Sequence, residues 1–319
     1  MQKKLNIIFA GTPDFASPTL AALVEGGYNV VAVYTQPDKP FGRGRKLQSP
    51  PVKELALSYN IPVEQPHNFK DELTIKKMQS YNPDILVVAA YGLLLPQKVL
   101  DIPTLASLNV HASLLPRWRG ASPINHAILA GDSKTGVSIM QIVLALDAGP
   151  VYNTAVCDIE PNDNAASLTI KLANLGAKAL VDVVATITTK DIIPTPQIAK
   201  DVTYAPKLSK EHAFLDFNSA ASSLVSQTKA MQPWPGVCFN YNGNIIKVFE
   251  LEAITDHNCA NCASGEIILW DKAGLVIKAQ DNPVRITKMQ LAGGKALSAS
   301  QMWCGNNELF LVGSNIISA

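Results

Sequence analysis

The sequence predicts a two-domain α/β protein: a doubly wound, mostly parallel sheet followed by a small β-barrel. Three observations carry that expectation. Short apolar runs alternate with helical stretches over the first half, the texture changes near residue 190, and brief strand-like runs separated by turn dipeptides follow. The length of 319 residues agrees, since a single hydrophobic core rarely organises more than about 250–300 residues.

Residues 5–10, 29–35 and 84–90 are largely continuous apolar runs, which suits strands buried on both faces. Between them helices are expected at 13–26, opened by Thr12 and Pro13 and closed by Gly26-Gly27, and at 50–59 and 70–81. Alternation of strand and helix predicts parallel pairing. A strand at 107–110, a helix at 123–130, a long strand at 137–146, another at 151–159 and a long helix from Asn164 continue the pattern. This half reads as a Rossmann-like domain over residues 1–189. Asp191-Ile-Ile-Pro-Thr-Pro196 cannot sustain a helix, so residues 190–208 are expected to form a linker. A helix at 219–231 then precedes strands at 237–241, 245–254, 265–270, 274–279 and 284–290, divided by Asn-Gly, Ser-Gly, Ala-Gly and Asn-Pro turns. Residues 209–319 therefore read as a barrel domain.

Composition narrows the class. With 47% apolar and 17% charged residues, the chain is of the soluble globular type. The apolar run after Met1-Gln2-Lys3-Lys4 is too short for a signal peptide or a membrane span, and the expected compartment is the cytoplasm. Five scattered cysteines do not form a disulfide pattern. Cys259 and Cys262, with His257 nearby, have the spacing of half a zinc site, but no second pair follows, so no metal is expected. A net charge of +1 says nothing by itself about nucleic acid.

In an open parallel sheet, ligands bind beyond the carboxyl ends of the strands. Two segments there bear polar groups: Leu108-Asn109-Val110-His111 and Ala145-Leu146-Asp147. Asn109 and His111 are two apart on an extended segment, so they share a face. An amide and an imidazole together can stabilise a developing oxyanion, and a carboxylate such as Asp147 orients the imidazole. The bland alternative stays open at this point: a turn-forming Asn, a His bonded to a backbone carbonyl and a loop-opening Asp. Ser113 lacks the glycine-flanked elbow of hydrolases. Gly11-Thr-Pro-Asp14 occupies the phosphate-binding position of a dinucleotide fold but lacks Gly-x-Gly-x-x-Gly, which disfavours an NAD-linked dehydrogenase.

The run His111-Ala-Ser-Leu-Leu-Pro-Arg-Trp-Arg-Gly-Ala-Ser-Pro123 resembles the signature of the folate-dependent formyltransferases. Ile8-Phe9-Ala10-Gly11-Thr12-Pro13-Asp14-Phe15, Thr35-Gln36-Pro37-Asp38-Lys39-Pro40, Ala90-Tyr91-Gly92-Leu93 and Trp234-Pro235 resemble the branch of that family that formylates methionyl-tRNA. The resemblance covers essentially the whole chain and implies a Rossmann-like domain followed by an OB-like barrel. It implies catalytic roles for Asn109, His111 and Asp147. It puts Ser113, Leu114, Leu115 and Pro116, with Tyr91, Gly92 and Leu93, at the site of 10-formyltetrahydrofolate. Two departures are visible: His111-Ala stands for the frequent His-Gly, and Asp147-Ala-Gly-Pro for the frequent Asp-Thr-Gly-Asp. The implied reaction is attack of the methionyl α-amine on the formyl carbon, with no metal required.

Lys39 to Lys53 forms a basic, glycine-punctuated stretch, expected to be a mobile loop that pairs with phosphates. By resemblance Arg43, Arg45 and Lys46 would contact the tRNA; by composition alone the same stretch is a solvated surface loop. Arg117 and Arg119 extend that basic rim or pair with acids. Residues 207–319 hold nine Lys or Arg and nine Asp or Glu, so a basic face there requires clustering, with Lys278, Arg285, Lys288 and Lys295 as candidates. The expected protein is a monomer acting on initiator methionyl-tRNA. Its rivals are a formyltransferase for a small amine, such as glycinamide ribonucleotide or an amino sugar, and a non-catalytic RNA-binding protein.

Overall fold

The computed structural model describes residues 5–41, 46–187, 192–255, 259 and 261–316. Two compact units emerge: Met1–Pro123, Lys134–Asp158 and Leu168–Ala205 form the first, and Ile124–Ser133, Ile159–Ser167 and Pro206–Ala319 the second.

In chain order the first part comprises β1 (Asn6–Gly11), α1 (Ser17–Glu25), β2 (Asn29–Tyr34), β3 (Lys39–Phe41), β4 (Lys46–Gln48), α2 (Pro51–Ser58), β5 (Val63–Glu64), α3 (Glu72–Ser80), β6 (Ile85–Ala89), α4 (Gln97–Leu100) and β7 (Ala106–His111). Then come β8 (Arg119–Gly120), α5 (Pro123–Leu129), β9 (Lys134–Gln141), β10 (Val151–Asp158), α6 (Ala165–Ile187) and β11 (Tyr204–Ala205).

Seven strands form one sheet in the order β10-β9-β7-β6-β1-β2-β5. From β5 to β7 all pairings are parallel. At the other edge β9 runs antiparallel to β7, and β10 antiparallel to β9, so the sheet is mixed. The chain passes from β1 outward through β2 to β5, then returns to β6 on the opposite side of β1. The topological switch point therefore lies between β1 and β6, where such sheets open a crevice. Burial follows the period of two: Ile8, Ala10, Tyr34, Leu86 and Val88 pack with Phe69, Met78 and Tyr91 into one core. The alternate residues Ile7, Phe9, Val33 and Val87 are buried as well. Gly176 lets α6 approach the sheet, since a Cβ there would stand 2.8 Å from Val110 Cγ1.

Two expectations are corrected. The strand expected at 137–146 runs from Lys134 only to Gln141, and Val143, Leu144 and Leu146 beyond it are exposed. There the chain doubles back, Gln141 N–H donating to the Pro150 carbonyl (2.9 Å); a Cβ on Gly149 would run into the Gln141 carbonyl oxygen. The stretch expected as a mobile loop contains two short antiparallel strands, with Lys39 opposite Gln48 and Phe41 opposite Lys46. At its base, hydrogen bonds from Gln65 and Lys53 hold the Asp38 carboxyl below its ordinary pKa. Arg43 and Arg45 lie outside the described residues. The segment expected as a linker is irregular over its described residues, and up to Ala205 it belongs to the first unit. Thr195 exchanges two 2.8 Å backbone bonds with Val151, and β11 pairs in parallel with β8.

The second unit carries α7 (Ala221–Ala230), β12 (Val237–Tyr241), β13 (Asn244–Ala253), β14 (Ile267–Trp270), β15 (Leu275–Lys278), β16 (Pro283–Gln290), β17 (Leu297–Ser298) and α8 (Ala299–Gly305). Its strands form an antiparallel half-barrel in the order β12-β13-β16-β15-β14, with β17 beside β16. Asn242 (φ 50°) and Gly243 (φ 77°) make the tight turn between β12 and β13, as Asn-Gly predicts. Register shifts at Val248, Glu250 and Leu251 bend β13 in the way bulges curve a sheet. Inside, the Phe310 ring meets Trp270 (5.1 Å, edge-on) and Tyr241 (5.2 Å). Cys259 and Cys262 are free thiols, and His257 is outside the described residues. Among the described residues no helix is long and apolar enough to cross a membrane.

Candidate functional site

β7 ends on the residues that carry the site. Leu108 and Val110 are buried in the sheet, so Asn109 is left half-buried on the opposite pleat, paired in register with Val88 and Met140. No hydrogen bond engages its side-chain amide among the described residues, which leaves donors and acceptor open to a ligand.

His111, two residues on, is buried at 6% exposure. Its Nε2 lies 2.9 Å from the Trp118 carbonyl oxygen. A carbonyl only accepts, so Nε2 bears the proton, and Nδ1 faces Asp147 Oδ2 at 3.7 Å. The same Oδ2 accepts the Gly120 backbone N–H at 2.8 Å. Asp147 thus sits between the imidazole and the β8 backbone, although 36 residues of chain separate it from His111. Trp118 (φ 63°) and Asp147 (φ 46°) are both left-handed, conformations that non-glycine residues hold only under tertiary constraint.

Further along, the segment Ser113–Pro116 is fixed from β9. Ser138 Oγ donates to the Ser113 carbonyl (2.7 Å) and accepts from Leu115 N–H (3.1 Å), while Ser113 Oγ donates to the Arg117 carbonyl (2.6 Å). Ser113 is buried; Leu114, Leu115 and Pro116 are half-buried, and the Leu115–Pro116 peptide is cis. Arg117 stacks over the Trp118 ring at 4.2 Å.

Tyr91, Gly92 and Leu93 follow β6, beside the switch point. Tyr91 is buried, and burial pushes its hydroxyl pKa above the ordinary value. Its carbonyl accepts from Thr12 Oγ1 and Gln36 Nε2, both at 3.0 Å. Gly92 is exposed with φ 78°, and a Cβ there would collide with the Gln36 carboxamide. A cleft of about 310 Å³ opens next to this corner, lined by Thr12, Asp14, Gln36, Lys39 and Gln48. Asn109, His111 and Asp147 do not line it, and their chemistry, not its volume, marks the site.

Three residues that the sequence does not single out hold the segments around His111 and Asp147: Ser138, Gln197 and Thr203. Gln197 Nε2 donates to the carbonyls of Asp147 (2.8 Å) and Gly149 (2.7 Å), and its Oε1 accepts from Arg119 Nε (3.0 Å) and Nη2 (2.8 Å). Thr203 Oγ1 accepts Trp118 N–H at 2.9 Å. No local pattern marks any of them, because each acts through a partner distant in sequence.

The basic candidates divide. Lys46 is exposed on β4. In the second unit Lys278 is buried and donates to the Asp281 carbonyl. Arg285 lies 3.7 Å from Glu252, and Lys288 3.4 Å from Glu250. Three of the four positions proposed as a basic face are therefore neutralised or turned inward; Lys295 is exposed.

A mixed, doubly wound sheet with polar groups gathered at its strand ends, followed by an antiparallel half-barrel, defines a two-part α/β protein with its site on the sheet. The chain belongs to the formyl transferase family: residues 3–184 match its formyl transferase domain and residues 207–307 its C-terminal domain. Solved structures share the fold. HypX from Aquifex aeolicus, in complex with tetrahydrofolic acid, superposes with a TM-score of 0.62 at 17% identity over 98% of this chain and 49% of its own. The chain thus spans about half the length of HypX. WlaRD, a sugar 3N-formyltransferase solved with dTDP and 5-N-formyl-THF, gives 0.66 at 16% identity over 92% and 99%. The N-formyltransferase from Helicobacter canadensis, with folinic acid and dTDP-3-aminofucose, gives 0.67 at 15% identity over 88% and 98%.

Proposed function

We propose that this chain transfers the formyl group of 10-formyltetrahydrofolate to the α-amine of methionyl initiator tRNA. The observation that carries the chemistry is the constellation at the end of β7: an unengaged Asn109 amide, and His111 pinned between the Trp118 carbonyl and the Asp147 carboxylate. The folate site is assigned to Ser113, Leu114, Leu115, Pro116, Tyr91, Gly92 and Leu93. Half-buried apolar side chains at Leu93, Leu114, Leu115 and Pro116 suit a flat heteroaromatic ring, and the exposed, side-chain-free Gly92 admits close approach.

10-Formyltetrahydrofolate, as co-substrate, supplies the formyl carbon. Asn109 donates an N–H to the formyl oxygen as negative charge grows there, the role of an oxyanion donor. His111, steadied at Nε2, presents Nδ1 and the Asp147 carboxylate to the proton that leaves the attacking amine. The same pair returns a proton to the folate nitrogen as the C–N bond to the formyl carbon breaks. A formylated amine and tetrahydrofolate result, with no net redox change and no metal in any step.

We assign residues 1–189 to catalysis and residues 209–319 to tRNA, with Arg43, Arg45 and Lys46 on the phosphates, in a monomeric cytoplasmic enzyme. Support comes from the family membership of both halves and from the sequence resemblance to the methionyl-tRNA branch. A formyl-transfer assay offering methionyl initiator tRNA, a dTDP-amino sugar and glycinamide ribonucleotide to one preparation tests the substrate. Transfer to the tRNA at a kcat/KM at least about 100-fold above either small amine is expected. The reverse preference would replace the tRNA reading with a small-amine one, and no transfer to any acceptor would end the enzymatic reading.

A further inference from the structure

We propose that Gln197 is a positioning residue for Asp147, clamping the loop that carries the carboxylate against the β8 backbone so that the carboxylate meets His111. The inference rests on the role assigned to Asp147 above.

The Asp147 loop is closed at its base by the Gln141–Pro150 bond, but apolar packing does little to place its tip. Val143, Leu144 and Leu146 are exposed. Asp147 also sits at φ 46°, a conformation that relaxes unless surrounding contacts oppose it. Gln197 supplies those contacts. One side-chain nitrogen bonds the carbonyls of both Asp147 and Gly149, and the oxygen takes two donors from the Arg119 guanidinium. Arg119 and Gly120 are consecutive, and the Gly120 N–H holds the Asp147 carboxylate. Loop and β8 are therefore tied twice: carboxylate to Gly120, and backbone through Gln197 to Arg119.

A neutral carboxamide suits this position where a charged side chain does not. It must donate on one side to two carbonyls and accept on the other from a guanidinium, whereas a carboxylate only accepts and a lysine or arginine only donates. Gln197 is itself fixed on both flanks, by the Thr195–Val151 bridge and by β11. It lies between the two family matches, which end at 184 and resume at 207.

The test is formyl transfer from 10-formyltetrahydrofolate to methionyl-tRNA by the full chain, with kcat and both KM values measured separately. The variants are Gln197→Ala, Gln197→Met, Gln197→Glu, Asp147→Asn and Gln197→Met/Asp147→Asn. Gln197→Met keeps the volume and so preserves a folded protein if the alanine variant is unstable. Gln197→Ala and Gln197→Met are expected to lower kcat about 10- to 100-fold, the scale of small misplacements at a reacting centre, with both KM values within about threefold. Gln197→Glu should be equally slow, because it lacks the donors for the loop carbonyls. In the Asp147→Asn background Gln197→Met should cost less than about threefold, since the group it positions is already gone. Normal kcat in Gln197→Met or Gln197→Glu, or an undiminished effect of Gln197→Met in the Asp147→Asn background, overturns the inference. A normal rate in Asp147→Asn alone would instead strike down the catalytic assignment, and the inference with it.

Discussion

Ser138 offers the sharpest test of how Ser113–Pro116, the segment proposed to meet the formyl donor, is held. It is fully buried on β9, opposite His111 in register. Its hydroxyl donates to the Ser113 carbonyl at 2.7 Å and accepts from Leu115 N–H at 3.1 Å. Ser138→Ala deletes one oxygen and strands two backbone groups. A net hydrogen bond is worth about 0.5–1.5 kcal/mol, and a buried group left unpaired costs about 1–3 kcal/mol. Some relaxation toward other partners is available, because Leu115 is only half-buried, so the loss should be about 2–4 kcal/mol. Spread over a unit of this size, about 2–4 °C per kcal/mol gives a Tm lower by roughly 5–15 °C in the transition of the first unit. The kinetic consequence is more specific: KM for 10-formyltetrahydrofolate should rise at least about tenfold, while KM for methionyl-tRNA stays within twofold. Thermal unfolding followed by circular dichroism and steady-state transfer assays measure both. A Tm within about 2 °C of wild type together with an unchanged formyl-donor KM would show that the Ser138 bridge does not shape this segment.

Other perturbations separate chemistry from scaffold. Asn109→Ala should lower kcat by about 100- to 1,000-fold, as loss of an oxyanion donor does, yet leave Tm nearly unchanged, because the amide engages no other described residue; a large Tm shift with normal kcat would reverse the reading. Gly149→Ala drives a Cβ into the Gln141 carbonyl and should destabilise by about 1–3 kcal/mol and slow transfer with it, measured by urea unfolding and the same assay. In the half-barrel, Asp281 accepts N–H groups of Ala221 (2.8 Å) and Asn282 (2.7 Å), and these bonds lower its pKa. A lowered folded pKa means that this stability is present above the unfolded value and is lost as pH falls through the folded one. Asp281→Ala should therefore cost about 0.5–2 kcal/mol at neutral pH, as losing a helix cap does, with a smaller difference from wild type near pH 3 in denaturant titrations. Arg43→Ala/Arg45→Ala should weaken tRNA binding and flatten its salt dependence by roughly two counterions; an unchanged slope in filter-binding titrations would end the proposal that these arginines meet tRNA phosphates.

The central strands were legible because parallel strands buried on both faces leave continuous apolar runs, as at Ile7–Ala10 and Ile85–Ala89. The hairpin turn at Asn242-Gly243 was legible because left-handed backbone selects those residues. Element ends are not legible where hydrophobicity and burial part company. Val143, Leu144 and Leu146 extend the apolar run of β9 past Gln141 but lie exposed, so the expected strand overran into the Asp147 loop. In the stretch 190–208 the prolines announced irregular backbone, seen at 192–196, but gave no sign that Thr195, Gln197 and Thr203 bond back onto the rest of the first unit.

The site divides along the same line. Asn109 and His111 share a face by the arithmetic of an extended strand, a local property. Their meeting with Asp147 depends on two left-handed residues, Trp118 and Asp147, each costing about 1–3 kcal/mol in isolation. Neither is a glycine, and Trp118 above all belongs to a type that rarely adopts this backbone. What holds them is tertiary: Thr203 accepts the Trp118 N–H, and Gln197 grips the Asp147 loop. Trp118 in that conformation turns its carbonyl onto His111 Nε2, and Asp147 turns its carboxylate toward Nδ1. The imidazole is thus aimed by two strained residues whose strain is opposed from the segment between the two family matches. Residue identity supplies the candidate groups, while their alignment is a property of chain sections that local sequence patterns do not mark.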